Sequence, residues 1–168
     1  MTLRRPPRLH HSLYAGAVRI FFTMCAFRRR ALFTSRTLVE LLAGELLHSG
    51  TMCDVEILAY CFMPDHVHYL AEGLRENANL HNHARRFRQR TGYAFRRQQA
   101  GYLWQDGYFD RHLRNEDATF DVIRYIVANP VRAGLCSSPE QYAFSGAAHY
   151  ALNELGGFVQ WRPGRSPK

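Results

Sequence analysis

Between Gly16 and Phe27 the chain crowds β-branched and aromatic side chains together, with Val18, Ile20, Phe22 and Met24 on one face of an extended segment and Phe21 and Cys25 on the other. Apolar on both sides, this segment predicts a strand buried between two layers. The period then lengthens. Leu38, Leu41, Leu42 and Leu46 recur at helical spacing after Thr34 or Ser35, either of which can cap a helix, and Gly50 stands where a C-terminal cap belongs. Two further strand-like segments, Met52 to Phe62 and His66 to Glu72, are separated by Met63, Pro64 and Asp65. Proline pre-sets the bend, so the two should pair as an antiparallel hairpin.

From Asn79 to about Gln99 the helical period returns: Leu80, Ala84, Phe87, Thr91 and Ala94 share one side, Arg86, Arg90 and Arg97 lie on another, and Gly92 weakens the middle. Tyr102 to Leu113 reads as a strand with a turn or bulge at Asp106 and Gly107. Asp117 then opens a helix that runs to Asn129 and is stopped by Pro130. The order β, α, β, β, α, β, α predicts an α+β, ferredoxin-like (RRM-like) antiparallel sheet with helices packed on one face. Residues 1–15 read as a basic N-terminal arm, 16–135 as the folded domain and 136–168, rich in glycine and proline near its end, as a loosely packed C-terminal extension. No internal repeat is present.

Charge narrows the range of partners. Twenty-two basic against fourteen acidic residues give the 168-residue chain a formal charge of +8, and Lys168 is its lone lysine. Arginine's planar fork grips phosphate and its face stacks on bases, so this surface points to nucleic acid over a generic acidic partner. Cys25, Cys53, Cys61 and Cys136 lack paired spacing and read as reduced thiols. No apolar run reaches the roughly 18 residues of a membrane span. The stretch from Leu13 to Phe27 contains Arg19 and lacks a small-residue cleavage site before Arg28, which argues against a signal peptide. A cytoplasmic location, away from membrane, is the expectation.

His66 and His68, two apart in a predicted strand, point to the same sheet face while Val67 turns to the other. They make either a two-ligand metal platform suited to Mn or Zn or two ordinary half-buried histidines. Tyr125 and Asn129, four apart on the last helix, are stacked neighbours, although helical tyrosines commonly pack and an asparagine before proline commonly stops a helix. That pair carries chemistry only if its helix lies over the histidines. His81 and His83 cannot chelate from one helix, where two residues turn the side chain by about 200°. Cys61 with His66 and His68 offers a zinc alternative. His112 and His149 read as structural or surface residues.

The string Met63-Pro64-Asp65-His66-Val67-His68, followed by Tyr125-Ile126-Val127-Ala128-Asn129-Pro130-Val131-Arg132-Ala133-Gly134-Leu135, resembles the single-tyrosine HUH transposases. With the region of Trp104, Gln105, Tyr108, Phe109, Asp110 and Arg114, it resembles the branch of REP-associated tyrosine transposases, over roughly Gly16 to Leu135. Asp65 and Ala128 are small departures from the family's pattern, and Glu140 to Tyr150 matches it loosely.

The resemblance implies a ferredoxin-like enzyme in which His66 and His68 bind Mg or Mn and Asn129 supplies a third ligand. Tyr125 would attack a phosphodiester of single-stranded DNA, leaving a 5′-phosphotyrosine link and a free 3′-hydroxyl that can reverse the step. Because an ordinary tyrosine titrates near 10, a divalent cation has to help at neutral pH. The implied partner is hairpin-forming palindromic DNA with adjoining single-stranded bases, and the enzyme would act as a monomer or homodimer. Arg85, Arg86, Arg88, Arg90, Arg96 and Arg97 would meet phosphates, as could Arg4, Arg5 and Arg8 of the arm and Arg114 and Arg132 beside the two motifs. Tyr102, Trp104, Tyr108 and Phe109 are candidates for stacking on unpaired bases, against the ordinary fate of strand aromatics as core. The rival readings are a catalytically idle nucleic-acid-binding module with the same sheet, and a zinc phosphoesterase that uses water and leaves no protein link.

Overall fold

The computed structural model describes residues 9–114 and 119–155. Five strands, β1 (Arg19–Cys25), β2 (Val55–Met63), β3 (His66–Gly73), β4 (Phe109–His112) and β5 (Ser145–Ala147), form one sheet in the order β4-β1-β3-β2-β5. Every neighbouring pair is antiparallel. Helices α1 (Arg36–Thr51) and α2 (Leu80–Gln98) follow β1 and β3, and α3 (Thr119–Arg132) follows β4. The first four strands and the first two helices make the expected ferredoxin-like α+β fold.

Alternation along the strands divides the interior in two. Ile20, Phe22 and Met24 of β1 and Val67, Tyr69 and Ala71 of β3 enter a large core with Leu42 and Leu46 of α1 and Leu80, Ala84 and Phe87 of α2. On the opposite face Phe21 and Leu70 meet Val122, Ile123, Ile126 and Val127 of α3. Thus α1 and α2 share one face of the sheet, and α3 covers part of the other. A bulge in β2 between Ile57 and Ala59 keeps both faces apolar: Val55 and Ile57 belong to the α1/α2 core, whereas Leu58, Ala59, Cys61 and Met63 belong to the α3 core. One inserted residue inverts the parity of everything after it.

The Ser35 hydroxyl accepts from the Leu38 amide, and the Asn79 side chain accepts from the Asn82 amide, so both helix starts are capped by side chains. Three local expectations are corrected. Gly50 is not a C-terminal cap, since α1 continues to Thr51; a Cβ there would lie 2.6 Å from the Val55 carbonyl oxygen, so close packing is what calls for glycine. Pro130 does not stop α3, which continues to Arg132 and turns off at Gly134, in the left-handed region at φ 72°. The segment after Leu135 is not loosely packed as far as it is described. Its β5 adds a strand beside β2, Tyr142 donates to the Phe62 carbonyl at 2.8 Å, and Leu155 is fully buried. Asp117, the predicted helix opener, lies outside the described residues, as do Arg4, Arg5 and Arg8.

Candidate active site

The tight turn at Pro64 and Asp65 ends β2 and starts β3, and the strand's alternation sends His66 and His68 to the face that α3 covers. Their Nε2 atoms are 3.0 Å apart. Each ring is held through its other nitrogen: His66 Nδ1 donates to Asp65 Oδ1 at 2.6 Å, and His68 Nδ1 lies 2.8 Å from Thr23 Oγ1 of β1. Phe21 stacks on His68 with centroids 5.4 Å apart. Burial pushes the His68 imidazole down to about 3, helped by His66 and the guanidinium groups of Arg29 and Arg132. Burial also lowers His66, while the Asp65 carboxylate pulls the other way. Both rings are therefore neutral near pH 7.

Two neutral imidazoles, each hydrogen-bonded through Nδ1 to Asp65 or Thr23, are a donor set suited to a divalent cation. Without a cation one Nε2 must donate to the other; Thr23 accommodates both situations, because a hydroxyl donates or accepts. Among the described residues no group of three His, Cys, Asp or Glu side chains is placed to hold a metal. Cys61 pairs with His68 across β2 and β3; burial raises its thiol well above the ordinary range, and the thiol donates to Met63 Sδ at 3.8 Å.

Helix α3 brings Tyr125 to the same place. Its ring centroid is 6.1 Å from that of His68 and 6.1 Å from that of Phe21, and the residue is 8% exposed. The Arg132 guanidinium lies over the Tyr125 ring at 5.1 Å. Asn129 is one turn further on, with Nδ2 donating to the carbonyl oxygens of Tyr125 at 2.7 Å and Ile126 at 3.4 Å. Pro130 has no N–H for the Ile126 carbonyl, so the Asn129 amide takes up backbone acceptors that the proline disturbs. That explains how α3 passes through Pro130, and it leaves Oδ1 as the side chain's remaining acceptor.

The arginines predicted to meet DNA divide by what they touch. Arg90 grips the Glu45 carboxylate of α1 through two contacts of 2.6 and 3.0 Å, and Arg88 donates to the Gln105 carbonyl at 2.5 Å while lying over Tyr108. Arg86 is half-buried; Arg97 and Arg114 are exposed. Arg85 and Arg96 are exposed and line, with Arg88, His81 and Tyr102, a groove of about 390 Å³ on the α1/α2 side. Tyr102 is 61% exposed, whereas Trp104 is 8% exposed, packs on Phe33 and Phe87, and donates its indole N–H to Thr91 Oγ1 at 2.9 Å. Of that aromatic group, Tyr102 offers an open face and Trp104 belongs to the core.

Sequence reasoning did not single out Thr23 or the Asp65 carboxylate as partners of the imidazoles. Asp65 was legible as the neighbour of His66; Thr23 becomes visible only once β1 and β3 are registered, with Thr23 opposite His68. His81 and His83 part company, His81 lying against the rings of His11 and Tyr14 and His83 buried against Tyr69. His149 reaches Glu56 at 3.0 Å on the surface. All four cysteines are free thiols, and no helix among the described residues is long and apolar enough to cross a membrane.

Comparison with known proteins agrees with this architecture. The family model described as "Transposase IS200 like" matches residues 16–129. A solved structure of a REP-associated tyrosine transposase bound to a REP hairpin is similar with a TM-score of 0.68 at 20% identity, covering 84% of this chain and 82% of that one. A Deinococcus radiodurans chain described as a candidate transposase aligns at 17% identity with a TM-score of 0.49, covering 84% of this chain and 95% of that one. No curated protein matches the chain.

Proposed function

The chain belongs to the IS200-like transposase family, and from that premise we propose that it cleaves and rejoins single-stranded DNA beside hairpin-forming palindromes through a 5′-phosphotyrosine intermediate. The observation that carries the reading is the meeting of Tyr125 with the two imidazoles on one sheet face, within one chain. The Tyr125 oxygen attacks phosphorus, the bond from phosphorus to the 3′-oxygen breaks, and the phenolic proton balances the one that the departing 3′-hydroxyl gains. His66 and His68 would hold Mg or Mn, with Asn129 as the oxygen ligand. Bound there, the cation supplies charge stabilisation at the phosphoryl oxygens.

The remaining work belongs to side chains. Asp65 and Thr23 fix which nitrogen each imidazole presents, and Phe21 packs behind His68 and edge-on to Tyr125. A rigid strand and a packed helix thus hold nucleophile and cation ligands in register, the condition for in-line attack. Arg132, beside the nucleophile, meets the scissile segment, and the groove with Arg85, Arg96 and Tyr102 receives flanking phosphates and an unpaired base. Arg97 and Arg114, both exposed, are further phosphate contacts, whereas Arg90 is taken up by Glu45 and Arg88, in the groove wall, by the Gln105 carbonyl. A REP hairpin is the ligand of the similar solved structure, and we assign this chain a partner of the same kind. Assembly of the site within one chain supports action as a monomer; its place of action in this reading is the cytoplasm.

The test is incubation with a pool of single-stranded hairpins and Mn, followed by a search for a denaturation-resistant protein–DNA adduct and peptide mapping of its tyrosine. An adduct at Tyr125 that disappears in chelator is expected. Binding with no adduct favours the catalytically idle module, and cleavage with no protein link favours hydrolysis by water.

A further inference from the structure

The loop between β1 and α1 does something that the reading above leaves unused. At Arg28 and Arg29 the backbone enters the left-handed region, φ 56° and 55°, which side-chain-bearing residues seldom adopt. Such a conformation persists where the surroundings over-determine it, and here they do. The Ala26 amide donates to the Asp65 carbonyl at 2.9 Å and the Phe33 amide to the Pro64 carbonyl at 2.9 Å, so both ends of the loop are tied to the turn that precedes His66. The Phe27 amide is tied to the Leu103 carbonyl at 2.8 Å.

The outcome of that path is the position of one guanidinium. Arg29 Nε lies 2.9 Å from Asp65 Oδ2, and Arg29 Nη1 donates to Cys25 Sγ at 2.8 Å. The other oxygen of the same carboxylate, Oδ1, accepts from His66 Nδ1 at 2.6 Å. An ionised carboxylate is acceptor-only, so a ring nitrogen bonded to it must carry the proton, and His66 Nε2 is left with its lone pair. A free aspartate on a turn could rotate away from the ring; a guanidinium on its far oxygen removes that freedom.

We propose that Arg29 is a positioning residue, holding Asp65 so that His66 stays in the tautomer that presents the Nε2 lone pair towards His68. The proposal rests on the cation reading above for its purpose, but its physical content is a property of the metal-free protein. It also gives the left-handed turn a reason, since a relaxed backbone at 28–29 would carry the guanidinium elsewhere.

Arg29→Asn is the informative variant, because asparagine tolerates the left-handed region and removes the guanidinium without adding backbone strain. Expected are an unchanged or raised melting temperature, a loss of Nδ1 protonation at His66 in nitrogen-15 spectra of the metal-free protein near neutral pH, and about 10- to 100-fold weaker Mn binding. Arg29→Lys, which keeps a charge but not the fork, should fall between Arg29→Asn and wild type in both readouts. A His66 ring spectrum and Mn affinity identical to wild type in Arg29→Asn overturn the proposal, as does a fall in melting temperature that alone accounts for the weakened binding. Wild-type protein that binds no Mn would overturn the cation reading; the tautomer comparison, made without metal, decides Arg29 independently.

Discussion

Strand β3 serves two faces that solve different problems. Towards α1 and α2 it sends Val67, Tyr69 and Ala71 into the larger core, where Phe22 stacks on Tyr69 at 4.8 Å and Phe87 meets Trp104 at 5.5 Å. Towards α3 it sends His66, His68 and Leu70, and Phe21 of the neighbouring strand packs there against His68 and the Tyr125 phenol. One face stabilises by burying hydrocarbon. The other uses a smaller core to fix polar groups, and a site built on a strand and a helix inherits the rigidity of the first face. Substitutions should therefore separate stability from chemistry according to side-chain parity along a single strand.

The sharpest break in that comparison comes from the α3 face. Tyr125→Phe removes one oxygen and should abolish the covalent adduct on denaturing gels, while hairpin affinity by fluorescence anisotropy stays within about twofold and stability within about 1 kcal/mol. Next is His66→Ala, which should eliminate Mn-dependent cleavage and leave the unfolding midpoint nearly unchanged, since His66 is only partly buried. The reverse dissociation belongs to the other face: Phe87→Ala should cost about 3–5 kcal/mol in urea unfolding, with adduct formation retained wherever the protein remains folded. If Phe87→Ala silenced chemistry at full stability, the division between faces would fail.

Acid should act on the α1/α2 core through His83, whose burial pushes it down to about 4. The unfolded chain takes up that proton near pH 6.5 and the folded one only near pH 4, so stability is highest above about 6.5 and falls as pH drops through this window. His83→Leu should remove its share of the acid limb of the stability curve, the buried His68 and partly buried His66 contributing the rest with the same sign; an unchanged limb would assign the acid sensitivity to those groups. The smallest effects are expected at the rim. Arg85→Ala and Arg96→Ala should each weaken hairpin binding modestly and reduce the slope of log affinity against log salt by about 0.7, without changing the fraction of adduct at saturating DNA.

The alternation in β1 and β3 and the helical spacing of Leu38 to Leu46 and Leu80 to Ala94 were sufficient for the element order, and the motif around His66 for a shared face of two imidazoles. Less legible were features whose cause lies in another element. Gly50 looked like a cap because glycine commonly is one; the Val55 carbonyl that excludes a side chain belongs to a strand the helix does not announce. Pro130 looked like a stop because the rescue of the Ile126 carbonyl comes from the Asn129 side chain. Trp104 looked available for bases until α2 supplied Thr91 and Phe87. The segment after Leu135 has too few apolar residues to advertise a strand, and β5 exists because β2 offers an unpaired edge.

What the sequence determined by itself was local and periodic: which segments extend, which coil, which side chains of each share a face, and the arginine charge that seeks phosphate. Tertiary structure decided which of those faces meet. Nothing in the spacing from His68 to Tyr125 states that α3 crosses to the side of the sheet opposite α1 and α2. Nor does it state that Thr23 and Asp65 close on the two imidazoles. Periodicity is a property of one element, whereas a site depends on the relative placement of several, and that is set by which apolar surfaces can be buried together.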